Sequence, residues 1–381
     1  MSHLTVEKSL KEWLCNIRMA QNAEGALPGI VPTGGWGYDW GNGPAWDSVC
    51  VNLPFYIFKY TGDEQVIHEN AAMIMRYLVY IASKRDERGL ISVGLGDWVD
   101  PYSHERGSIA APLVVTDSFM VYDMAQKASH LFAECDRLPE RRYCLRLAEE
   151  LRASIRKNLI GEDCTVLGNC QTSQVLGLAM HIFTQEERKE AEERLLEIIR
   201  RDGNVNACGM IGLRYLFHVL ADMGEMELAY RIMTSKERTC YGYWIEHGAT
   251  TLWESFRAVD DPEVDSRNHH FLGDISSWFI QKVAGLMPNP EVNDVNFFRI
   301  RPHFIESLSY AKAHFETTHG TLRVCWERKN KDIELSVAAP GAVHGEICLP
   351  EGYAFADGSK LMVWDGAAGG FHVKKGVRRN G

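Results

Sequence analysis

A single change of period divides this chain and limits its fold more than any other feature. Up to about residue 290 apolar residues recur at helical spacing, and beyond Pro288-Asn289-Pro290 they alternate one by one. Val6, Leu10, Trp13, Leu14 and Ile17 make one face of a first helix, with Thr5 as its cap. Thr184 and Glu187 form a capping box ahead of a helix whose inward stripe is Ala191, Leu195, Ile198 and Ile199. Similar patterns cover 45–60, 64–84, 113–135, 138–158, 172–182, 209–222, 225–234 and 273–286, so ten or eleven helices are expected with no strand between them. The loops alternate in character. Thr61-Gly62-Asp63 and Met223-Gly224-Glu225 are tight, whereas 24–46, 88–112, 236–253 and 257–272 are long and rich in Gly, Trp and acidic residues. Helical hairpins with short turns at one end and long loops at the other stack into a toroid. Its long loops gather at one mouth, where a rigid scaffold aims functional side chains.

After the switch, Leu322, Val324 and Trp326 alternate with Thr321, Arg323 and Glu327, and Ile333, Leu335, Val337, Ile347 and Leu349 continue the pattern. A small antiparallel β-sandwich over 291–381 is expected behind a helical domain over 1–290. The 381 residues, 45% of them hydrophobic, suffice for one large core and a small one. A net charge of −10 without a basic patch argues against nucleic acid and anionic membrane as partners. No apolar run approaches the length of a membrane span. The ten cysteines are scattered and form no Cys-x-x-Cys pair, so no metal site is expected, nor any cofactor. Free thiols in a core point to a reducing, cytoplasmic setting.

Chemistry-bearing residues collect in the long loops. One cluster is Trp36-Gly37-Tyr38-Asp39-Trp40 with Trp46-Asp47, and a second is Gly96-Asp97-Trp98. A third runs from Tyr243 through Gly248-Ala249-Thr250-Thr251-Leu252-Trp253-Glu254, and a fourth is Asn268-His269-His270. Sugar hydrolysis needs this equipment. Two carboxyl groups flank the glycosidic bond, while aromatic faces meet the C–H side of a sugar ring and Asp, His and Asn read its hydroxyls. His130, His181 and His218 lie on helical stretches and read as structural or surface residues.

The order of these clusters carries more than any one of them. The Gly248-to-Glu254 run, Asn268-His269, Trp278, Val283-Ala284-Gly285-Leu286 and Phe298-Arg299-Ile300-Arg301-Pro302 together resemble the bacterial α-L-rhamnosidases of glycoside hydrolase family 78. Upstream, Trp46-Asp47, Gly96-Asp97-Trp98 and Leu228-Ala229-Tyr230 fit the same order. The resemblance implies an (α/α)₆ toroid, a rhamnose-containing glycoside as substrate, and an inverting hydrolysis that needs no metal. Glu254 then looks like the general base that deprotonates water, with Trp253 beside it to desolvate the carboxyl. His269 looks like a holder of a sugar hydroxyl. Trp46 and Trp98 look like walls of the sugar pocket, and Asp47 and Asp97 like further substrate-binding candidates, Asp97 either as a hydroxyl ligand or as a loop-fixing residue.

One departure bears on the mechanism. The family's general acid is a Glu in an Arg-Asp-Glu-Arg-type segment followed by Gly-Trp, and nothing between Met1 and Trp46 matches it. Arg85-Asp86-Glu87-Arg88 has the letters but follows Trp46. The expectation is therefore an N-terminally truncated chain, an incomplete helical ring, and self-association through the gap. Two other functions stay open: a related (α/α)₆ glycosidase for a different sugar, and a sugar-binding homologue that lacks the acid and does not cleave.

Overall fold

A computed structural model of the protein describes residues 6–103, 105, 107–257, 266–288, 293–366 and 369–375. Thr5, the expected cap of the first helix, and the expected 290/291 boundary lie outside the described residues. The helices are α1 (Glu7–Ala20), α2 (Pro44–Asp47), α3 (Val49–Thr61), α4 (Gln65–Ala82), α5 (Leu113–Glu134) and α6 (Leu138–Leu159). They continue with α7 (Gln171–Ala179), α8 (Arg188–Arg201), α9 (Met210–Asp222), α10 (Met226–Thr234), α11 (Tyr241–Glu246) and α12 (Ile275–Trp278), the last extended by a π-turn over Phe279–Val283.

These elements form the expected toroid. α3, α5, α7, α9 and α12 pack in succession as an inner ring, and α4, α6, α8 and α10 lie against its outside. Burial separates the two layers as the physics of a helical stripe requires. Every residue of α7 from Gln171 to Leu178 is buried, as are Val115 to Tyr122 of α5. By contrast α8 hides only Ala191, Leu195, Ile198 and Ile199, the stripe read from the sequence. Its capping box also forms, with the Thr184 N–H donating to Glu187 Oε2 at 2.8 Å and the Glu187 N–H to Thr184 Oγ1 at 3.3 Å. Arg156 grips the same carboxylate at 2.8 Å and holds it well below the usual range, at about 2. Among the described residues no helix is long and apolar enough to cross a membrane.

Three expectations change. The stretch 45–60 is two helices, α2 and α3, broken at Ser48. The loop 236–253 contains α11, built on Tyr241, Gly242 and Trp244, which are buried. The helix expected to run to 286 stops at Val283, because Gly285 turns the chain at φ +84° against the backbone of Arg301 and Pro302. A Cβ there would sit 2.2 Å from the Pro302 nitrogen, so only glycine makes the turn.

The strands are β1 (Leu286–Pro288), β2 (Phe297–Ile300), β3 (Tyr310–Thr317), β4 (Gly320–Lys329) and β5 (Asp332–Ala338), then β6 (His344–Cys348), β7 (Tyr353–Phe355), β8 (Leu361–Trp364) and β9 (Gly369–Lys375). They make a sandwich of two sheets, β1-β2-β6-β8 and β3-β4-β5-β9-β7. Its pairs are antiparallel except β2 with β6, which run parallel. The alternating residues Leu322, Val324, Trp326, Ile333, Leu335 and Val337 all point inward and are buried. The sandwich sits at the end of the toroid away from the mouth: Trp326 donates its indole N–H to the Val283 carbonyl at 2.9 Å, and Phe315 meets Tyr60 at the foot of α3.

At the mouth two long loops cross with no room to spare. Gly43 and Gly94 touch backbone to backbone, and a Cβ on Gly94 would lie 2.1 Å from the Asn42 carbonyl oxygen. Gly94 also holds φ +93°, a conformation that costs a side chain about 1–3 kcal/mol. Gly94→Ala is therefore expected to lower the unfolding midpoint and to raise amide exchange at 36–46 and 93–98. Unchanged exchange in both segments would remove the crossing as their shared support.

Candidate functional site

The segments on either side of Glu254 and His269 are zipped together. The Glu254 N–H donates to the Ser266 carbonyl at 2.8 Å, the His269 N–H donates to the Leu252 carbonyl at 2.8 Å, and the Thr251 hydroxyl donates to the Arg267 carbonyl. The Ser266 N–H returns a bond to Glu254 Oε2 at 3.0 Å. This places His269 Nδ1 3.5 Å from Glu254 Oε2, with both side chains half-buried. Glu254 Oε1 makes no hydrogen bond among the described residues, so one carboxylate oxygen is anchored and the other is open to water.

Beside this pair opens a cavity of about 680 Å³ lined by α3, α9, α12 and the residues around Trp46 and Phe271. His269 stands edge-on to Phe271 with ring centroids 3.9 Å apart, and Phe271 meets Trp46 at 5.3 Å. Trp46 is fixed in turn by its indole N–H, which donates to the Gly96 carbonyl at 3.2 Å. The structure thus links Glu254 to His269, His269 to Phe271 and Phe271 to Trp46. Phe271 and Trp46 line the cavity, whereas Glu254 and His269 stand behind Phe271 and outside its lining. Trp98 stands apart from that lining. It packs edge-on to Trp40, centroids 6.0 Å apart, and Trp40 packs on Trp36, so these three indoles form a second, partly exposed aromatic group at the mouth.

Three of the substrate-binding candidates turn inward. Trp253 is buried against Trp244, with the Arg267 guanidinium 4.9 Å from its ring, and is wall rather than lining. Asp47 is buried too, its Oδ2 taking the Tyr77 hydroxyl at 2.9 Å and the Gly43 N–H at 3.0 Å. Burial outweighs those bonds and pushes its carboxyl up from 3.8 to about 7.

Asp97 is wholly enclosed. Thr172 Oγ1 and the Gly209 N–H donate to its Oδ2 at 2.5 and 2.9 Å, and the Ile211 and Gly212 N–H groups donate to its Oδ1 at 2.8 and 2.9 Å. These four donors tie the 88–112 loop to α7 and to the start of α9. Burial raises its carboxyl pKa even against four donors. Asp117 repeats the device more sparsely, taking the Val93 N–H at 2.6 Å on one oxygen and nothing on the other, and burial raises it well above the carboxylate range.

Several cavity residues escaped the sequence reading. Phe271 adjoined a flagged pair but has no motif of its own. His218, read as structural or surface, lines the cavity and lies 2.7 Å from Asp274, joining α9 to α12. Asn52, Tyr56, Arg214 and Tyr215 line it from helices whose patterns look like ordinary core. Among the described residues no group of three or more His, Cys, Asp or Glu is placed to hold a metal.

Two predictions follow from the buried acids. Folded Asp47 keeps its proton to about pH 7, whereas the unfolded chain releases it near 3.8, so the folded state binds more protons across that window. Stability should therefore fall as pH rises from about 4 to about 7 and level off above, Asp47 contributing on the order of 4 kcal/mol. Asp97 and Asp117 act in the same direction, so Asp47→Asn should flatten the urea-midpoint profile between pH 4.5 and 8 only in part. A variant profile parallel to wild type would exclude Asp47 as a source. Asp97→Ala strands buried N–H groups and should cost about 3 kcal/mol or more in chemical denaturation; a loss below about 1 kcal/mol, the worth of an ordinary hydrogen bond, would mean that the network is dispensable.

Comparison with known proteins agrees with this architecture. Residues 2–283 match the family model described as the bacterial alpha-L-rhamnosidase 6 hairpin glycosidase domain, and residues 296–358 match the bacterial alpha-L-rhamnosidase C-terminal domain. An alpha-L-rhamnosidase of Streptomyces avermitilis is 26% identical over 97% of this chain, which spans 36% of that relative's length. A solved alpha-L-rhamnosidase from Dictyoglumus thermophilum shares the fold with a TM-score of 0.87 over 97% of this chain and 44% of its own, at 24% identity. The Streptomyces avermitilis structure, complexed with L-rhamnose, gives a TM-score of 0.83 at 25% identity over 97% of this chain and 36% of its own.

Proposed function

Because the chain belongs to the bacterial alpha-L-rhamnosidase family of six-hairpin glycosidases, we propose that it serves the hydrolysis of terminal α-L-rhamnosides with inversion, Glu254 acting as the general base. The observation that carries this reading is the Glu254–His269 pair, which reaches the aromatic cavity through the contact of His269 with Phe271. In an inverting hydrolysis the base must hold a water on the face of the sugar opposite the leaving group, while a second carboxyl protonates the leaving oxygen. Glu254 fills the first role. The second, unmatched between Met1 and Trp46, is not needed for a leaving group such as p-nitrophenolate. A carboxylate with one oxygen anchored to the Ser266 N–H and the other open suits that task. The anchored oxygen fixes the orientation of the group, and the open one receives the proton.

His269 is proposed to hold a sugar hydroxyl, since its ring is oriented by Phe271 on one side and by the carboxylate on another. Trp46 offers an apolar face for the sugar's C–H surface. Trp98, with Trp40 and Trp36, is proposed to meet the substrate further out, where an aglycone would leave the pocket. Asp47 and Asp97 receive no catalytic role here, because both carboxyls are enclosed by protein donors. The relative solved with L-rhamnose supports the choice of sugar.

The test is hydrolysis of p-nitrophenyl α-L-rhamnopyranoside together with binding of L-rhamnose. Glu254→Gln is expected to lower kcat by about 10² to 10⁴ while L-rhamnose binding persists, the signature of a lost base rather than a lost pocket. His269→Ala is expected to weaken binding more than it slows turnover. Full activity in Glu254→Gln would refute the assignment. Wild-type chain that binds L-rhamnose without cleaving it would favour the sugar-binding reading instead.

A further inference from the structure

The cavity continues below the rim between α3, α9 and α12, and this lower wall holds polar groups that the proposed hydrolysis does not use. Arg214 lines it from α9, one turn below the residues that Asp97 caps. Among the described residues its guanidinium makes no hydrogen bond and no ion pair, and the Tyr215 ring lies 5.8 Å away. Tyr215, Tyr56, Asp274 and Asp123 all lie within electrostatic reach of the guanidinium. Each of the two aspartates already has a partner of its own: Asp274 Oδ2 lies 2.7 Å from His218, and Asp123 Oδ2 lies 2.6 Å from Lys127.

An independent observation comes from α3. Asn52 lines the same space and is buried; its Oδ1 accepts from Lys127 at 2.8 Å, while its Nδ2 donor has no partner. A chain of net charge −10 thus holds, in its aromatic cavity, an unpaired cation and an unmet amide donor. Lys59 adds a second positive group to the wall. A half-buried guanidinium facing a cavity favours a planar or tetrahedral oxyanion that accepts two of its N–H groups at once. A sugar hydroxyl can accept from either donor, but only an oxyanion both accepts two guanidinium N–H groups at once and offsets the charge.

We propose that Arg214 and Asn52 form an anion-binding subsite, and that the sugar entering this cavity carries a carboxylate or a sulfate ester. The proposal rests on the glycoside-hydrolase reading for the rim and adds the substrate class: an acidic glycoside whose charged group passes beyond Glu254 and His269 toward α9.

Calorimetric titration of the whole chain with L-rhamnose, D-glucuronate and a monosulfated L-rhamnose tests it. One of the two anionic sugars should bind at least tenfold more tightly than L-rhamnose, and the tighter one identifies the carboxylate or the sulfate. Arg214→Gln should abolish that preference while changing L-rhamnose affinity less than twofold. Arg214→Lys, which keeps the charge but loses the fork, should retain part of it, so a misfolded Gln variant does not blunt the test. Equal affinity for neutral and anionic sugars in wild type would overturn the subsite and leave the rhamnosidase reading standing. Anion preference without any L-rhamnose binding would support the subsite and sink that reading. A crystal structure with a protein carboxylate seated on Arg214 would overturn the proposal in favour of a polypeptide partner.

Discussion

The mouth of this toroid depends on one buried carboxylate. α9 begins at Gly209, which has no side chain to cap the N–H groups of its first turn. Asp97, 112 residues earlier in the chain, supplies the missing cap by accepting from Gly209, Ile211 and Gly212, while Thr172 on α7 closes the network. A helix N-terminus carries partial positive charge and orphan donors, so a carboxylate there is stabilised in a way that it would not be elsewhere in the core. The glycine is part of the device. A Cβ on Gly209 would lie 2.5 Å from the Asp97 carbonyl oxygen and 2.8 Å from its carboxylate. One interaction therefore fixes the 88–112 loop, the start of α9 and the position of α7 together.

The same solution recurs around the rim. Asp47 holds Gly43 and Tyr77, and Asp117 holds the Val93 N–H, so the two loops that cross at Gly43 and Gly94 are each tied to a buried acid. Loops this long cannot bury enough apolar surface to stay in place by packing, and their backbone N–H groups need acceptors wherever they enter the core. Acidic side chains meet both needs, at the cost of desolvation that drives their pKa values upward. The fixed loops then carry the aromatic rim, in which Trp46 hangs from the Gly96 carbonyl and leans on Phe271. The acids that look most available in the sequence are spent on architecture, and Glu254, held by Ser266, keeps an open oxygen.

Much of this was legible in the residues themselves. The stripe of α8 and its Thr184–Glu187 box are local, set by neighbours three and four positions apart, and the structure repeats them without change. The alternation that buries Leu322, Val324 and Trp326 is equally local. The Gly248-to-Glu254 run and His269 carried the family resemblance because a loop that forms a site has few ways to be built. The orientation of other loop residues was not legible in this way. Asp47, Asp97 and Trp253 stand beside site residues in sequence, yet neighbouring side chains on a loop point in different directions, and these three point inward.

The sequence by itself therefore determined the two kinds of secondary structure and their order along the chain, because each follows from short-range periodicity and turn chemistry. Which side chain in the long loops faces the cavity was decided only by the tertiary structure. So was the appearance of Arg214, Asn52 and His218 on the cavity wall: they sit on helices buried on nearly every side, where no polar stripe marks the inward face. Exposure there depends on how the inner helices stand around the ring, a distance set by contacts between residues tens to hundreds of positions apart.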